Sequence, residues 1–362
     1  MHAGVLPRPI PPPRGGLTQV AARSEGTSVL PGSPLDPTLP DGTVLARLAR
    51  VDRSAYDVLT DSGHRRLPAL PAPRDPLDAP TVGDWLAVDD VAVCAVLPRR
   101  TLLARGTSGG TSTAQPLAAN VDVVLICAGL SGAPPVRRIE RLLTLSWESG
   151  ATPVVVLTKA DLCADPEAAA RVVQPHAPGA EVVVISAATG DLAGLSPYVV
   201  DGQTLALLGT SGAGKSTLVN ALAGGEVMAI GDVRDVDGKG RHTTSHRELI
   251  VLPNRAVMID TPGLRGVALY AAEEGLSRAF ADLEELASAC RFADCGHATE
   301  PGCAITASIE SGDLSSVRLD SWRRLHRELA FQARRTDARL RAAELAKWKR
   351  VSKQYRTRGG RP

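Results

Sequence analysis

Between residues 203 and 224 the chain reads QTLALLGTSGAGKSTLVNALAG, an apolar run followed by a glycine-rich octet and then a run with helical spacing. No other stretch limits the fold so strongly. In Gly209-Thr210-Ser211-Gly212-Ala213-Gly214-Lys215-Ser216 the glycines let backbone N–H groups turn toward an anion, and the start of the following helix adds a partial positive charge. A strand, such a loop and a helix in succession require an α/β domain with the loop at the carboxyl end of the strand. In that setting Lys215 is expected to reach the β and γ phosphates of a nucleotide and Ser216 to bind Mg²⁺, with Thr217 completing the loop's contacts.

The surrounding pattern agrees with an α/β domain. From Asn120 onward, VDVVLICAG, PVVVLTKAD, EVVVIS and QTLALLG alternate with helical stretches, so a mostly parallel sheet covered on both faces is expected. LIVLP and AVMIDTPG are separated by only a few residues and should be antiparallel neighbours at one side of it. Before this region, TVLARLARV, AYDVLT, DWLAV and VCAVL are short β-like runs punctuated by Gly, Pro and Asp, which predicts a small barrel. Residues 1–40 lack hydrophobic periodicity and read as a Pro-rich, disordered extension without a leader sequence. No uninterrupted apolar run reaches the ~18 residues of a membrane helix, so a cytoplasmic protein with no membrane partner is expected.

A phosphate loop does not choose the base. Thr158-Lys159-Ala160-Asp161 does, because it ends the strand PVVVL at the edge where open α/β sheets bind ligands. The Asp161 carboxylate can accept from both N1–H and the exocyclic amine of guanine, a pairing adenine cannot offer, while the Lys159 stem covers the base. Ser186-Ala187, after EVVVI, resembles the loop that closes over the guanine edge in GTPases. Asp260-Thr261-Pro262-Gly263 supplies a carboxylate for Mg²⁺ and a Gly263 N–H for the γ phosphate. Between these, Gly240-Arg-His-Thr-Thr-Ser-His246 offers a switch hydroxyl for Mg²⁺, with Thr244 preferred to Thr243. The guanine-reading motifs precede the phosphate loop, so the order is circularly permuted, which is allowed where the original termini lie close together.

Of six cysteines, Cys290, Cys295 and Cys303 crowd around His297. Three thiolates and an imidazole fill a tetrahedral shell, so one structural Zn²⁺ is expected. The net charge of +2 hides a basic C-terminal tail from Ser321 onward, which reads as an RNA-facing arm. Two other readings of the nucleotide loop stay open here: a P-loop ATPase or kinase, and an RNA-binding scaffold with vestigial nucleotide binding.

RVDRSAYDV, VGDWLAV, VLPRRTLLAR, AANVD, RRIERLL, GTSGAGKST, GRHTT, DTPG, CRFADCGHATEPGCAI and RELAFQARR stand in the order seen in the RsgA/YjeQ family, and the chain resembles that family from about Asp41 to its end. The resemblance implies an OB-fold over 41–112, a circularly permuted GTPase domain over 113–270 and a zinc-binding helical domain with its basic tail over 271–362. It also implies a monomeric factor of late small-subunit maturation that binds the small ribosomal subunit and its rRNA, and whose GTP hydrolysis is stimulated by that subunit. Leu264 cannot orient a water by hydrogen bonding, and the resemblance assigns that role to His242. Thr158 stands where the family's NKxD motif has Asn, so the amide that contacts guanine and braces the phosphate loop is absent.

Overall fold

The computed structural model describes residues 30–34, 37–106, 114–228, 247–261 and 268–336. His242, Thr244, Gly263, Leu264 and the tail beyond residue 336 lie outside the described residues.

The N-terminal unit is antiparallel: β1 (Val44–Val51), β2 (Ala55–Thr60), β3 (Gly63–Pro68), β4 (Trp85–Val88) and β5 (Val93–Val96) pair in the order β3-β2-β1-β4-β5. A register shift between Leu48 and Arg50 breaks the β1–β2 ladder, and such irregularities help a small sheet to curl. Ala46, Leu48, Tyr56, Val58, Leu67, Leu86, Val88 and Val93 fill the core of this OB-fold unit. The strand β3, GHRRLP, has Leu67 as its one buried side chain. It forms as the return arm of a hairpin that pairs Thr60 with Gly63, a signal that a search for apolar runs passes over.

A second hairpin, β6 (Leu102–Gly106) with β7 (Ala114–Ala119), straddles the expected boundary at residue 112. Then come β8 (Val123–Gly129), α1 (Val136–Glu148), β9 (Thr152–Thr158), α2 (Pro166–Val173), β10 (Glu181–Val184), β11 (Thr204–Gly209), α3 (Lys215–Ala223), β12 (Glu248–Val251) and β13 (Val257–Asp260). Strands β10-β9-β8-β11-β13 are parallel, and β12 runs antiparallel to β13 as its short connection required. From β8 the chain steps outward through β9 to β10, whereas β11 lies on the other side of β8. The sheet therefore has its topological switch point between β8 and β11, and it is outside the carboxyl ends at such a point that open α/β sheets bind ligands.

The β12 strand is not a free edge. Glu248 pairs with Asp260 on one side and with Arg50 of β1 on the other, so the barrel and the nucleotide domain share one continuous sheet. Apolar clusters cover both faces, with α1 on one and α3 on the other.

The helices α4 (Glu273–Ala279), α5 (Ala281–Ser288), α6 (Ala304–Ser311) and α7 (Ser316–Thr336) complete the described chain. The helix α7 is seated on the nucleotide domain by a buried ionic cluster. The Arg318 guanidinium, 2% exposed, donates to Glu140 of α1 at 2.9 Å and to Asp282 of α5 at 2.6 Å. His176 Nδ1 lies 2.7 Å from the same Glu140 oxygen. Buried charges of this kind need every partner, so losing one is far costlier than the net worth of the cluster. No helix among the described residues is long and apolar enough to cross a membrane.

Candidate nucleotide site and Cys/His centre

The phosphate loop leaves β11 at Gly209, whose φ is +152°. A Cβ there would lie 2.5 Å from the Cys127 carbonyl of β8, a backbone atom that cannot give way, so the position requires glycine. Gly212 and Gly214 also take positive φ (+78° and +80°), and α3 begins directly after Gly214. The octet thus performs the turn its sequence predicted, from buried strand to helix start.

Lys215 folds back along the loop and donates to the carbonyls of Gly209 at 3.0 Å and Thr210 at 2.8 Å. Burial lowers its pKa, while the neighbouring Cys127 and Asp260 act to raise it. Asp260 is shifted upward by burial, opposed by Lys215. Lys215 and Asp260 are thus a desolvated cation and a desolvated carboxylate at the ends of neighbouring strands, and each gains when a phosphate and its counter-ion bind there. Next to Asp260, the Thr261 hydroxyl donates to the Leu207 carbonyl, which ties the end of β13 to β11.

The loop that follows β9 meets the phosphate loop directly. Buried Thr158, at the end of β9, donates its hydroxyl to the Ala213 carbonyl at 2.8 Å. A Cβ on Gly214 would sit 3.2 Å from the same Thr158 oxygen. The longer amide is absent, as the sequence showed, but the shorter Thr158 hydroxyl still ties this loop to the phosphate loop. Lys159 then adopts a left-handed backbone (φ 62°), unusual for a side-chain-bearing residue, which turns the chain outward. Asp161 is exposed and accepts from the Ser186 hydroxyl at 2.6 Å. The role of Ser186 is thus more definite than its dipeptide signature: it orients the carboxylate, and Ala187 follows it past the end of β10. The Ala160 N–H donates to the Ile185 carbonyl at 3.1 Å and fastens the two loops together.

The second site lies between α5 and α6. The ligand atoms of Cys290, Cys295, His297 and Cys303 all fall within 4.8 Å of one another. Cys290 Sγ and Cys303 Sγ are 3.9 Å apart, and His297 Nδ1 lies 3.5 and 3.6 Å from them. A tetrahedral shell with metal–sulfur bonds of about 2.3 Å has edges of nearly that length, so this donor set fits a metal ion. Burial acts to raise the Cys303 thiol, but hydrogen bonds from Thr306 and contacts with His297 and Cys295 prevail and bring it down to about 6. It caps α6, where a thiolate is favoured.

Residues that spacing did not single out hold this centre. The Glu300 carboxylate accepts from the N–H groups of Gly296, Ala298 and Thr299, closing the loop that carries His297. Those bonds, that from Ala298 foremost, pull its pKa down to about 2. Trp322 of α7 meets the His297 ring in a T-shaped contact with centroids 5.8 Å apart, and Arg323 donates to the His297 carbonyl at 2.6 Å.

The chain's relatives agree with this architecture. The family model for the RsgA GTPase matches residues 96–270. The small ribosomal subunit biogenesis GTPase RsgA of Streptomyces avermitilis is 48% identical over 318 residues, covering 86% of this chain and 86% of that protein. The protein of the same name from Streptomyces coelicolor is 48% identical over 331 residues, with 89% and 88% covered. Among solved structures, YjeQ from Thermotoga maritima superposes with a TM-score of 0.58 at 22% identity, covering 79% of this chain and 98% of that one. YloQ, described as a circularly permuted GTPase, gives 0.55 at 24% identity, covering 80% and 96%. These two establish likeness of fold. With near-half identity spread along most of both lengths, and with the permuted order of strands and loops seen in its own sheet, this chain belongs to the RsgA family.

Proposed function

We infer that this chain is a GTP hydrolase of small ribosomal subunit biogenesis, acting late in maturation, with turnover stimulated by the subunit and driving release from it. The observation that carries the reading is the hydrogen bond from Thr158 to Ala213, because it fixes a base-reading loop against a phosphate loop in one crevice. The ribosomal part of the reading comes from family membership, since the relatives are named for small-subunit biogenesis.

In this reading Asp161, oriented by Ser186, pairs with the guanine edge while Lys159 covers the ring. Backbone N–H groups from Gly209 to Thr217 and the Lys215 ammonium hold the phosphates. Ser216 and Asp260, with Thr244, would hold Mg²⁺, which neutralises charge developing on the β and γ oxygens when bound. Gly263 contributes its N–H to the γ phosphate, and His242 orients the attacking water that Leu264 cannot hold. Cys290, Cys295, His297 and Cys303 would hold one structural Zn²⁺, which fixes the 290–303 loop beside α7. The OB-fold unit and α7, with Arg324 and Arg327 exposed, face rRNA phosphates. The protein works as a cytoplasmic monomer.

The test is GTP turnover by the purified chain with and without purified small subunits, together with competition for bound GDP. Turnover should rise with subunits, and GTP but not ATP should displace GDP. A rate indifferent to subunits would sink the ribosomal reading; equal displacement by ATP would sink the guanine reading.

A further inference from the structure

Asp260 ends β13 with its main chain held on both sides. It pairs with Leu207 of β11 and with Glu248 of β12, and it is the last β13 residue in either ladder. The side chain lacks such support. Asp260 is 4% exposed, and among the described residues none donates a hydrogen bond to its carboxylate; Lys215 acts on it through charge, while the Lys215 ammonium itself donates to the Gly209 and Thr210 carbonyls. The direction of this carboxylate is therefore set by the main chain that carries it.

Beyond Asp260 the strand stops, and the next residue takes over. Thr261 is 1% exposed, and its hydroxyl donates to the carbonyl of Leu207, the same residue that pairs with Asp260. The Asp260 backbone is thus anchored before the peptide unit that joins residues 260 and 261, and again after it. The acceptor lies on β11, two residues ahead of Gly209, where the phosphate loop begins. One side-chain bond joins the chain that carries the carboxylate to the strand that leads into the loop.

A buried hydroxyl needs a partner whatever its task. What sets this one apart is its place. The Thr101 hydroxyl makes a bond of the same kind, to the Val121 carbonyl at 2.7 Å, but at the opposite end of the sheet, where β8 begins. Both bonds contribute to stability. Only the bond from Thr261 adjoins a carboxylate suited to Mg²⁺, an ion that demands near-octahedral ligands at about 2.1 Å and tolerates little misplacement.

We propose that Thr261 is a positioning residue for the metal-holding carboxylate: by tying the end of β13 to Leu207, its hydroxyl directs Asp260 toward the Mg²⁺ that accompanies the nucleotide. The inference deepens the reading of this chain as a GTP hydrolase and rests on it.

The experiment compares the unmodified chain with Thr261→Val, Thr261→Ser and Thr101→Val. Three quantities are read: the affinity of the GDP complex for Mn²⁺ by electron paramagnetic resonance, the Mg²⁺ concentration giving half-maximal GTP turnover, and the melting temperature. Thr261→Val, nearly equal in volume, should weaken Mn²⁺ binding roughly tenfold and raise the Mg²⁺ requirement by a similar factor, with GDP affinity in EDTA within about twofold. Thr261→Ser restores the hydroxyl and should return Mn²⁺ affinity to within about threefold of the unmodified chain. Thr101→Val should lower the melting temperature about as far as Thr261→Val does while leaving Mn²⁺ affinity unchanged. If Thr261→Val does not fold, Thr261→Ala supplies the same measurement with a smaller side chain. Unchanged Mn²⁺ affinity on loss of the Thr261 hydroxyl, or an equal loss in Thr101→Val, would overturn the inference alone. An unmodified chain that turns over no GTP would overturn the proposed function with it.

Discussion

The nucleotide crevice and the Cys/His centre are built in opposite ways. The four metal-ligand candidates lie between Cys290 and Cys303, and a closed loop with a carboxylate staple at Glu300 brings them close, with Trp322 and Arg323 of α7 set against His297. The crevice collects Thr158, Asp161, Ser186, Lys215 and Asp260 from the ends of separate strands, and only the sheet brings them together. A site assembled locally depends on its own loop chemistry. A site assembled by topology depends on main-chain registers and on the few side chains that join one strand end to the next.

The widest separation between the two should come from Lys215→Ala, which removes the cation from the phosphates. GTP turnover should drop by at least about a hundredfold, as when a charge-stabilising donor is deleted, with metal content unchanged by elemental analysis. The reverse experiment is Cys303→Ser, where metal should fall from about one ion per chain to a small fraction, because an incomplete shell binds far more weakly. GDP affinity should stay within roughly threefold, since the crevice is held by the sheet. A large loss of GDP binding in that variant would erase the contrast between the two sites.

Thr158→Val tests the joint between strand ends at nearly constant volume. Losing a buried hydrogen bond of about 1 kcal/mol and leaving the Ala213 carbonyl unpaired should weaken GDP binding about five- to tenfold by titration. Equal affinity in Thr158→Val would mean that the loops meet without needing the hydroxyl. The smallest effect is expected for Ser186→Ala, which frees the Asp161 carboxylate without removing it. Guanine preference over hypoxanthine nucleotides should narrow by about two- to threefold, the worth of a partly exposed orienting bond.

The legible parts of this fold were those whose signal is contained in a short window. The strands β8 to β13 announced themselves as apolar runs, the phosphate loop as glycine spacing, and the metal-ligand set as cysteine spacing. Less could be read where an element exists only because of its partner. The strand β3 is mostly polar and pairs because a tight turn returns it to β2. The hairpin β6–β7 bridges two expected domains, and Arg50 of β1 extends the nucleotide sheet by pairing with Glu248.

The site divides in the same manner. The expectation that Asp161 reads the base and Lys215 the phosphates comes from residue chemistry at strand ends. That Thr158 ties the end of β9 to Ala213 of the phosphate loop and that Ser186 holds Asp161 depend on contacts between residues 55 and 25 positions apart. The sequence by itself determined the kinds of chemistry present and the strands that carry them, because turn geometry, apolar periodicity and ligand spacing act over a few residues. Only the tertiary structure decided which of those strand ends meet and what locks them in place, because a hydrogen bond between distant residues is set by sheet order and helix packing, and neither is written in any one window of the chain.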